Sequence, residues 1–169
     1  MGSRWMRILR HRWLDERDAE RTLGPGALER IAARVSDSET RHRGEIRVCV
    51  EAGLPLSYLW KGLRARARAV MLFGKLRVWD TADNSGVLIY LLLADHAIEI
   101  VADRGLNRYV NESQWQTLLS AMREAFQAGR FEDGLNQTID AVDRLLVRHF
   151  PNIEGQNNPD ELPNAPVIL

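Results

Sequence analysis

Acidic and amide side chains stand at the ends of three predicted strands. Glu45 opens an alternating apolar segment, and Asp83 and Asn84 precede a continuous apolar run. Asp103 follows a third apolar segment. If the first two strands run parallel and the third returns antiparallel, all four residues meet at one edge of the sheet. Carboxylate and amide oxygens suit Ca²⁺ or Mg²⁺, so the pattern predicts a divalent-cation site there.

The same residues also have a simpler interpretation. Asp83 and Asn84 are common turn formers, and Asp103 would cap a strand end or pair with an arginine. The two arginines concerned are Arg66 and Arg104. In a functional site they would instead hold a phosphate group or contact a partner protein. Arg66 suits either role because it falls at the margin of the apolar face of a predicted helix.

The sequence offers no convincing nucleophile. Cys49 lies in mid-strand, and Pro55 occupies the place where a cysteine phosphatase carries an arginine. Asp80 and Asp83 stand before a strand and lack the spacing of an aspartyl-phosphate pair. The histidines show no metal-ligand spacing, and we expect exposed or capping roles for His11, His42, His96 and His149. Catalysis is therefore left undecided, and no organic cofactor is expected.

Length and composition predict one water-soluble domain with tails. The chain has 169 residues, of which 45% are hydrophobic and 27% charged, and its net charge is zero. The positions from 41 to 77 carry nine basic and two acidic residues, whereas those from 95 onward carry twelve acidic and six basic. Such halves neutralise each other on folding, and they lack the basic face of a nucleic-acid-binding protein. A single cysteine excludes an internal disulfide.

Residues 1–26 are predicted to form an amphipathic helical extension. Trp5, Ile8, Leu9 and Trp13 recur at helical spacing, with arginines between them. Such a helix either docks on its own domain or lies on an anionic membrane, and the acidic residues that follow favour docking. This region lacks the apolar run of a signal peptide, and no stretch is long enough to span a bilayer, so we expect a cytoplasmic location.

Residues 27–150 are predicted to form an α/β domain. The segment GEIRVCVEAG alternates and predicts a half-buried strand, and the apolar run from Val87 to Leu93 predicts a central one. Ala97 to Ala102 completes a β-hairpin with it. A helix with Leu59, Leu63, Ala67 and Val70 toward the core joins the first two strands and implies a parallel crossover.

Helices flank these strands on both sides in the sequence. The predicted fold class is therefore α/β, a three-layer α/β/α sandwich with a small mixed sheet that includes the hairpin. Residues 151–169 form a Pro-rich tail, which we expect to lie on the surface through Val167, Ile168 and Leu169.

Several ordered motifs resemble the TPM domain family, also called DUF477. The most specific is Asn84-Ser85-Gly86-Val87-Leu88-Ile89, which is similar to the family's N-N-G-V-L-[LI]. Further matches are Gly44-Glu45-Ile46, Asp95 before the second hairpin strand, Gly105-Leu106, and Phe131-Glu132-Asp133-Gly134-Leu135. The chain departs from the family pattern at Asp103-Arg104, in place of a glycine-aromatic pair, and at Asn107, in place of a glutamate.

The resemblance implies a small α/β/α sandwich and three functions. Some members of the family bind calcium or another divalent ion, plant members are acid phosphatases of photosystem repair, and others are accessory subunits of membrane complexes. We expect first a soluble module that binds a protein partner, with an optional Ca²⁺ or Mg²⁺ site. The alternatives are a metal-dependent acid phosphatase and a peripheral membrane-complex accessory protein that docks through Trp5 to Trp13.

Overall fold

The computed structural model describes residues 2–14, 16–154 and 159–169. The helices described are α1 (Gly2–Arg12), α2 (Glu16–Leu23), α3 (Ala27–Glu39), α4 (Leu56–Trp60), α5 (Ala65–Lys75), α6 (Arg104–Asn107), α7 (Glu112–Gln127) and α8 (Phe131–His149). The strands are β1 (Glu45–Glu51), β2 (Gly86–Leu92), β3 (Ala97–Ala102) and β4 (Val167–Ile168). Among the described residues, no helix combines the length and apolarity needed to cross a bilayer.

The four strands form one mixed sheet in the order β3-β2-β1-β4. Strand β1 pairs in parallel with β2, with Glu45 opposite Gly86. Strand β3 returns antiparallel to β2, which confirms the predicted hairpin. Its turn is a 3₁₀ segment, Leu93–Asp95, closed by His96 with a positive φ of 47°. The amino ends of β1 and β2 and the carboxyl end of β3 therefore lie at the same edge of the sheet.

Both faces of the sheet are covered by helices. One face of β1 and β2 packs with α2, α3, α7 and α8, through Ile46, Val48, Val50, Val87, Ile89 and Leu91. The opposite face packs with α4 and α5, through Cys49, Leu88, Tyr90 and Leu92. The predicted three-layer α/β/α sandwich is confirmed.

The prediction of a half-buried β1 is wrong. Cys49 is fully buried and Glu51 is 3% exposed, although both lie on the side expected to face solvent. Helix α5 covers that side, and the guanidinium of Arg68 on this helix donates to Glu51 at 2.6 Å. At Glu51 the polar position of the alternating pattern therefore reflects a buried ion pair and not exposure to water.

The single crossover helix of the prediction is two helices. Helix α4 is followed by a turn at Gly62, which has a positive φ of 68°. A second helix, α5, begins at Ala65, and different sequence positions on it face the core. The predicted apolar stripe is consequently wrong, because Leu63 is 36% and Val70 is 51% exposed. Ala65, Ala69 and Leu72 face the core instead.

The two terminal segments are more ordered than the sequence predicts. The N-terminal extension contains two helices, α1 and α2, and not one. The tail is not simply a surface segment, because Val167 and Ile168 form β4, which pairs in parallel with Cys49 and Val50 of β1. Its Leu162 is 7% exposed and belongs to the core layer on the α5 side. The tail thus supplies an edge strand of the sheet.

Candidate cation site

Glu45 lies in a group of three acidic side chains. Glu39 is the last residue of α3, Glu45 is the first of β1, and Asp160 comes from the tail. One carboxylate oxygen from each lies within 4.8 Å of the others. The short loop between α3 and β1 positions the two glutamates, and the pairing of β4 with β1 brings Asp160 to them.

Burial makes negative charge costly in this group. Glu45 is 2% exposed, and its Oε2 accepts a hydrogen bond from the Leu162 amide at 3.2 Å. Burial raises the pKa of Glu45 to about 7, and the charges of Asp160 and Glu161 add to the rise. Burial likewise raises the pKa of Glu39 to about 8, with Glu45 and Asp160 contributing in the same direction. A cation is the partner that would offset this repulsion.

The three carboxylates line a cavity of about 260 Å³. Ser36, Thr40, Asn152 and Asn164 complete its lining. The Oδ1 atom of Asn164 is buried and has no hydrogen-bond partner among the described residues. An orphaned amide oxygen beside three carboxylates is the donor set that Ca²⁺ or Mg²⁺ takes, so the residues fit such an ion.

The other predicted ligands lie in a separate cluster at the same edge of the sheet. Asp83 Oδ2 accepts from Arg43 at 2.6 Å. Asn84 has a positive φ of 51°, and its Oδ1 accepts from the Nε of Arg104 at 2.9 Å. Asp103 caps α6 by accepting from the Arg104 amide at 2.7 Å. These contacts are turn and ion-pair contacts.

The loop before β2 and the start of α6 touch each other closely. The amide of Gly105 donates to the Asn84 carbonyl at 2.9 Å, and a Cβ at Gly105 would lie 2.4 Å from that oxygen. Asp83, Asn84, Asp103 and Arg104 therefore do meet, as the topology predicted. One atom in this cluster lacks a hydrogen-bond partner within the described ranges, the buried Oδ2 of Asp103.

The side chain of Arg66, on α5, contacts β3. Its Nη1 donates to the Ile100 carbonyl at 2.5 Å, and its guanidinium lies 3.8 Å from Glu99 and 3.6 Å from Glu112. The arginine of the Asn84 cluster is Arg104, joined there by Arg43. Of the two arginines predicted as phosphate or partner contacts, the structure thus brings Arg104 to the predicted ligands and pairs Arg66 with acidic side chains elsewhere.

Two histidines are buried, against the expectation of exposed or capping roles. His11 is 3% exposed, with Nε2 3.0 Å from Asp95 and Nδ1 accepting from the Leu54 amide at 3.0 Å. His42 is fully buried, and burial lowers its pKa to about 4. Its Nε2 lies 3.6 Å from Asp143. Cys49 is also buried, which raises the pKa of its thiol to about 12 and disfavours the nucleophilic thiolate.

Glu39, Asp160 and Asn164 were missed by the sequence analysis. Glu39 carried a signal, because an acidic residue in the last turn of a helix is unfavourable beside the negative end of the helix dipole. Such a placement suggests another role for the carboxylate. Asp160 and Asn164 carried none, since their position depends on the pairing of residues more than a hundred positions apart.

The fold, an α/β/α sandwich with a mixed four-stranded sheet, defines the structural class of the protein. The model of the TPM domain matches residues 17–145, so the chain belongs to the TPM domain family. No curated protein matches the chain.

The solved structures that are similar to this one include the following two. The BA42 protein of the psychrophilic bacterium Bizionia argentinensis, solved by NMR, has 30% sequence identity and a TM-score of 0.71, covering 83% of this chain and 91% of its own. The N-terminal domain of a P. gingivalis protein has 18% identity and a TM-score of 0.62, covering 78% of this chain and 83% of its own. The latter likeness concerns the fold alone. Residues 159–169, which complete the acidic group, lie beyond the family match.

Proposed function

We propose that this TPM domain binds a divalent cation through Glu39, Glu45 and Asp160 and acts by binding a partner protein. The observation that carries the cation site is the meeting of three carboxylates and the orphaned Asn164 oxygen around one cavity. All four donors are oxygens, which favours Ca²⁺ or Mg²⁺ over zinc.

The ion would join the tail to the domain. Glu39 and Glu45 belong to the part of the chain matched by the family, whereas Asp160 and Asn164 belong to the tail. The tail also holds the amide that donates to Glu45. A cation here would therefore fix the tail against β1.

The partner protein is proposed for the edge of the sheet that the tail forms. Strand β4 is the last strand of the sheet, and it pairs with β1 on one side only among the described residues. An edge strand can accept a further strand from another protein. Cation binding would then promote binding of the partner protein, because it holds the tail and its strand β4 in place.

The test is a titration of the purified chain with CaCl₂ and with MgCl₂, followed by calorimetry and amide NMR. We expect saturable binding that shifts the amides of residues 39, 45, 160–162 and 164. Glu45→Gln and Asp160→Asn should each weaken binding at least about tenfold, because each removes one charged ligand. Asp83→Asn and Asp103→Asn are the matched controls from the neighbouring cluster.

Two results would contradict the proposal. Loss of binding in the Asp83 and Asp103 variants alone would place the ion at the originally predicted ligands. No heat and no shifts at millimolar ion would show that neither cluster is a site. The same samples are assayed for hydrolysis of p-nitrophenyl phosphate, and hydrolysis that is lost together with cation binding would favour the phosphatase alternative over a binding role.

A further inference from the structure

Helix α1 turns its apolar side to solvent. Trp5 is 61% exposed, Met6 67%, Leu9 55%, and Trp13 just beyond the helix end 81%. At 100° per residue these four side chains fall within about one third of the helix circumference. A continuous apolar stripe on a surface helix normally faces the core, so its exposure here needs an explanation.

The polar side of α1 holds the helix on the domain. Asp95, in the hairpin turn, accepts from Arg7 at 3.0 Å and from Arg10 at 2.6 Å. His11 reaches the same carboxylate at 3.0 Å and is buried. Because burial, ion pairs and hydrogen bonds anchor the polar side, this orientation of α1 is fixed by specific contacts and leaves the apolar side free.

Helix α4 extends the exposed apolar stripe. The Trp60 ring lies 6.4 Å from the Trp5 ring in an edge-to-face arrangement and is 60% exposed. Leu56 is 42% and Leu63 36% exposed. We call this surface the α1–α4 face, made of Trp5, Met6, Leu9, Trp13, Leu56, Trp60 and Leu63.

The surroundings of the α1–α4 face are positive. Residues 2–14 and 55–64, which form it, contain six lysines and arginines and no aspartate or glutamate. Arg12, Lys61 and Arg64, each next in the sequence to a residue of the face, are exposed. The neighbouring carboxylates are already paired: Asp95 with Arg7 and Arg10, and Glu99 with Arg66. An occupant of this face should therefore be apolar at its centre and negative at its border.

We propose that the α1–α4 face docks on an anionic lipid bilayer surface. Tryptophan rings favour the region between headgroups and acyl chains, and arginines and lysines beside them contact anionic headgroups. The exposed side chains are tryptophan, leucine and methionine on two short helices and the residues just after them, a composition typical of segments that lie in the interface plane. The docking is peripheral, and it uses a different surface from the proposed cation site.

The experiment is sedimentation of the whole chain with vesicles, carried out in EDTA so that the result is independent of cation binding. We compare vesicles of phosphatidylcholine alone with vesicles that contain 30% phosphatidylglycerol. Binding should be at least about tenfold stronger to the anionic vesicles and should weaken in high salt. The double variant Trp5→Ser/Trp60→Ser should lose at least about tenfold in binding to them.

Trp79→Ser is the matched control, because Trp79 is 48% exposed but lies outside the α1–α4 face. Its vesicle binding should equal that of the unchanged chain. The three replaced tryptophans are 48% to 61% exposed, so circular dichroism and Tm should confirm folding of the variants. The proposal is overturned by no binding to anionic vesicles, by equal binding of the double variant, or by equal loss in the Trp79 variant. Binding of the face to an acidic protein but not to vesicles would also overturn it.

Discussion

At the scale of single residues, Glu39 and Glu45 link the cation site to pH. Burial raises the pKa of Glu39 to about 8 and that of Glu45 to about 7, whereas both start from 4.5 in an exposed chain. Between pH 4.5 and about pH 8, the folded protein therefore holds more protons on these two carboxyl groups than the unfolded chain does. The free energy of unfolding therefore falls as pH rises through this window.

We predict that Tm in EDTA falls by roughly 5 °C between pH 6.5 and 8.5. Saturating Ca²⁺ should flatten this dependence, because the ion stabilises the charged carboxylates, and Glu45→Gln should reduce it in EDTA. Burial lowers the pKa of His42 from 6.5 to about 4, so this residue affects stability below pH 6.5, where the free energy of unfolding falls as pH decreases. The measurement is thermal unfolding across pH. An equal slope in Glu45→Gln and the unchanged chain would contradict the assignment.

Of the three acidic residues of the candidate site, the sequence pattern pointed to one, Glu45. Glu45 could be chosen because it opens a strand whose pairing was predictable from local pattern. Asp160 could not, since only the long-range pairing of β4 brings it near. The Asp83, Asn84 and Asp103 cluster was also predictable as a meeting of loops, because both loops adjoin the hairpin.

At the scale of elements, a buried polar network joins α5 to the sheet. Arg68 donates to both carboxylate oxygens of Glu51, at 2.6 to 3.1 Å, and the Tyr90 hydroxyl donates to the same group at 2.6 Å. Glu51 and Tyr90 are 3% and 0% exposed. Breaking such a pair leaves a buried charge without its partner, which costs more than the pair contributes.

Arg68→Met is predicted to lower the free energy of unfolding by about 3 kcal/mol. Pairing this change with Glu51→Gln should recover part of the loss, because the uncompensated charge is then absent. Arg34→Ala serves as the control, since the Arg34–Asp140 pair is about 40% exposed on both sides and should contribute at most about 1 kcal/mol. Urea unfolding measures all three. A smaller effect for Arg68→Met than for Arg34→Ala would disprove the role of the network.

Most of the strands and their order along the chain could be predicted from local sequence pattern. The alternation of β1, the continuous run of β2 and the hairpin to β3 all follow from side-chain period and turn residues. The phase of α5 did not, because the positive φ at Gly62 restarts the helix and no short window reveals it. The burial of Glu51 could not be predicted from local pattern either, since a charged side chain is expected to be exposed unless its ion-pair partner is known.

At the scale of the whole molecule, the tail completes the domain. It provides β4, the buried Leu162 and one carboxylate of the candidate site. The guanidinium of Arg47 on β1 donates to the carbonyls of Pro163 and Ala165, the latter at 2.6 Å. The tail thus contributes to the sheet, the core and the site together.

Removal of residues 159–169 is predicted to lower the free energy of unfolding by about 3 kcal/mol, because it exposes apolar surface and removes hydrogen bonds. Leu162→Ala alone should cost about 2 kcal/mol, which separates core burial from strand pairing. Urea unfolding monitored by circular dichroism measures both. If the shortened chain were as stable as the full one, the tail would be an appendage and not part of the domain.

The pairing of β4 with β1 also has a kinetic consequence. Arg47 and Ala165 are 118 residues apart in the chain, so closing this loop carries a large entropic cost that the hairpin between β2 and β3 does not. Docking of the tail should therefore follow the folding barrier. Substitutions in the tail should speed unfolding while leaving the refolding rate almost unchanged, so the tail would set the lifetime of the native state more than the time taken to reach it.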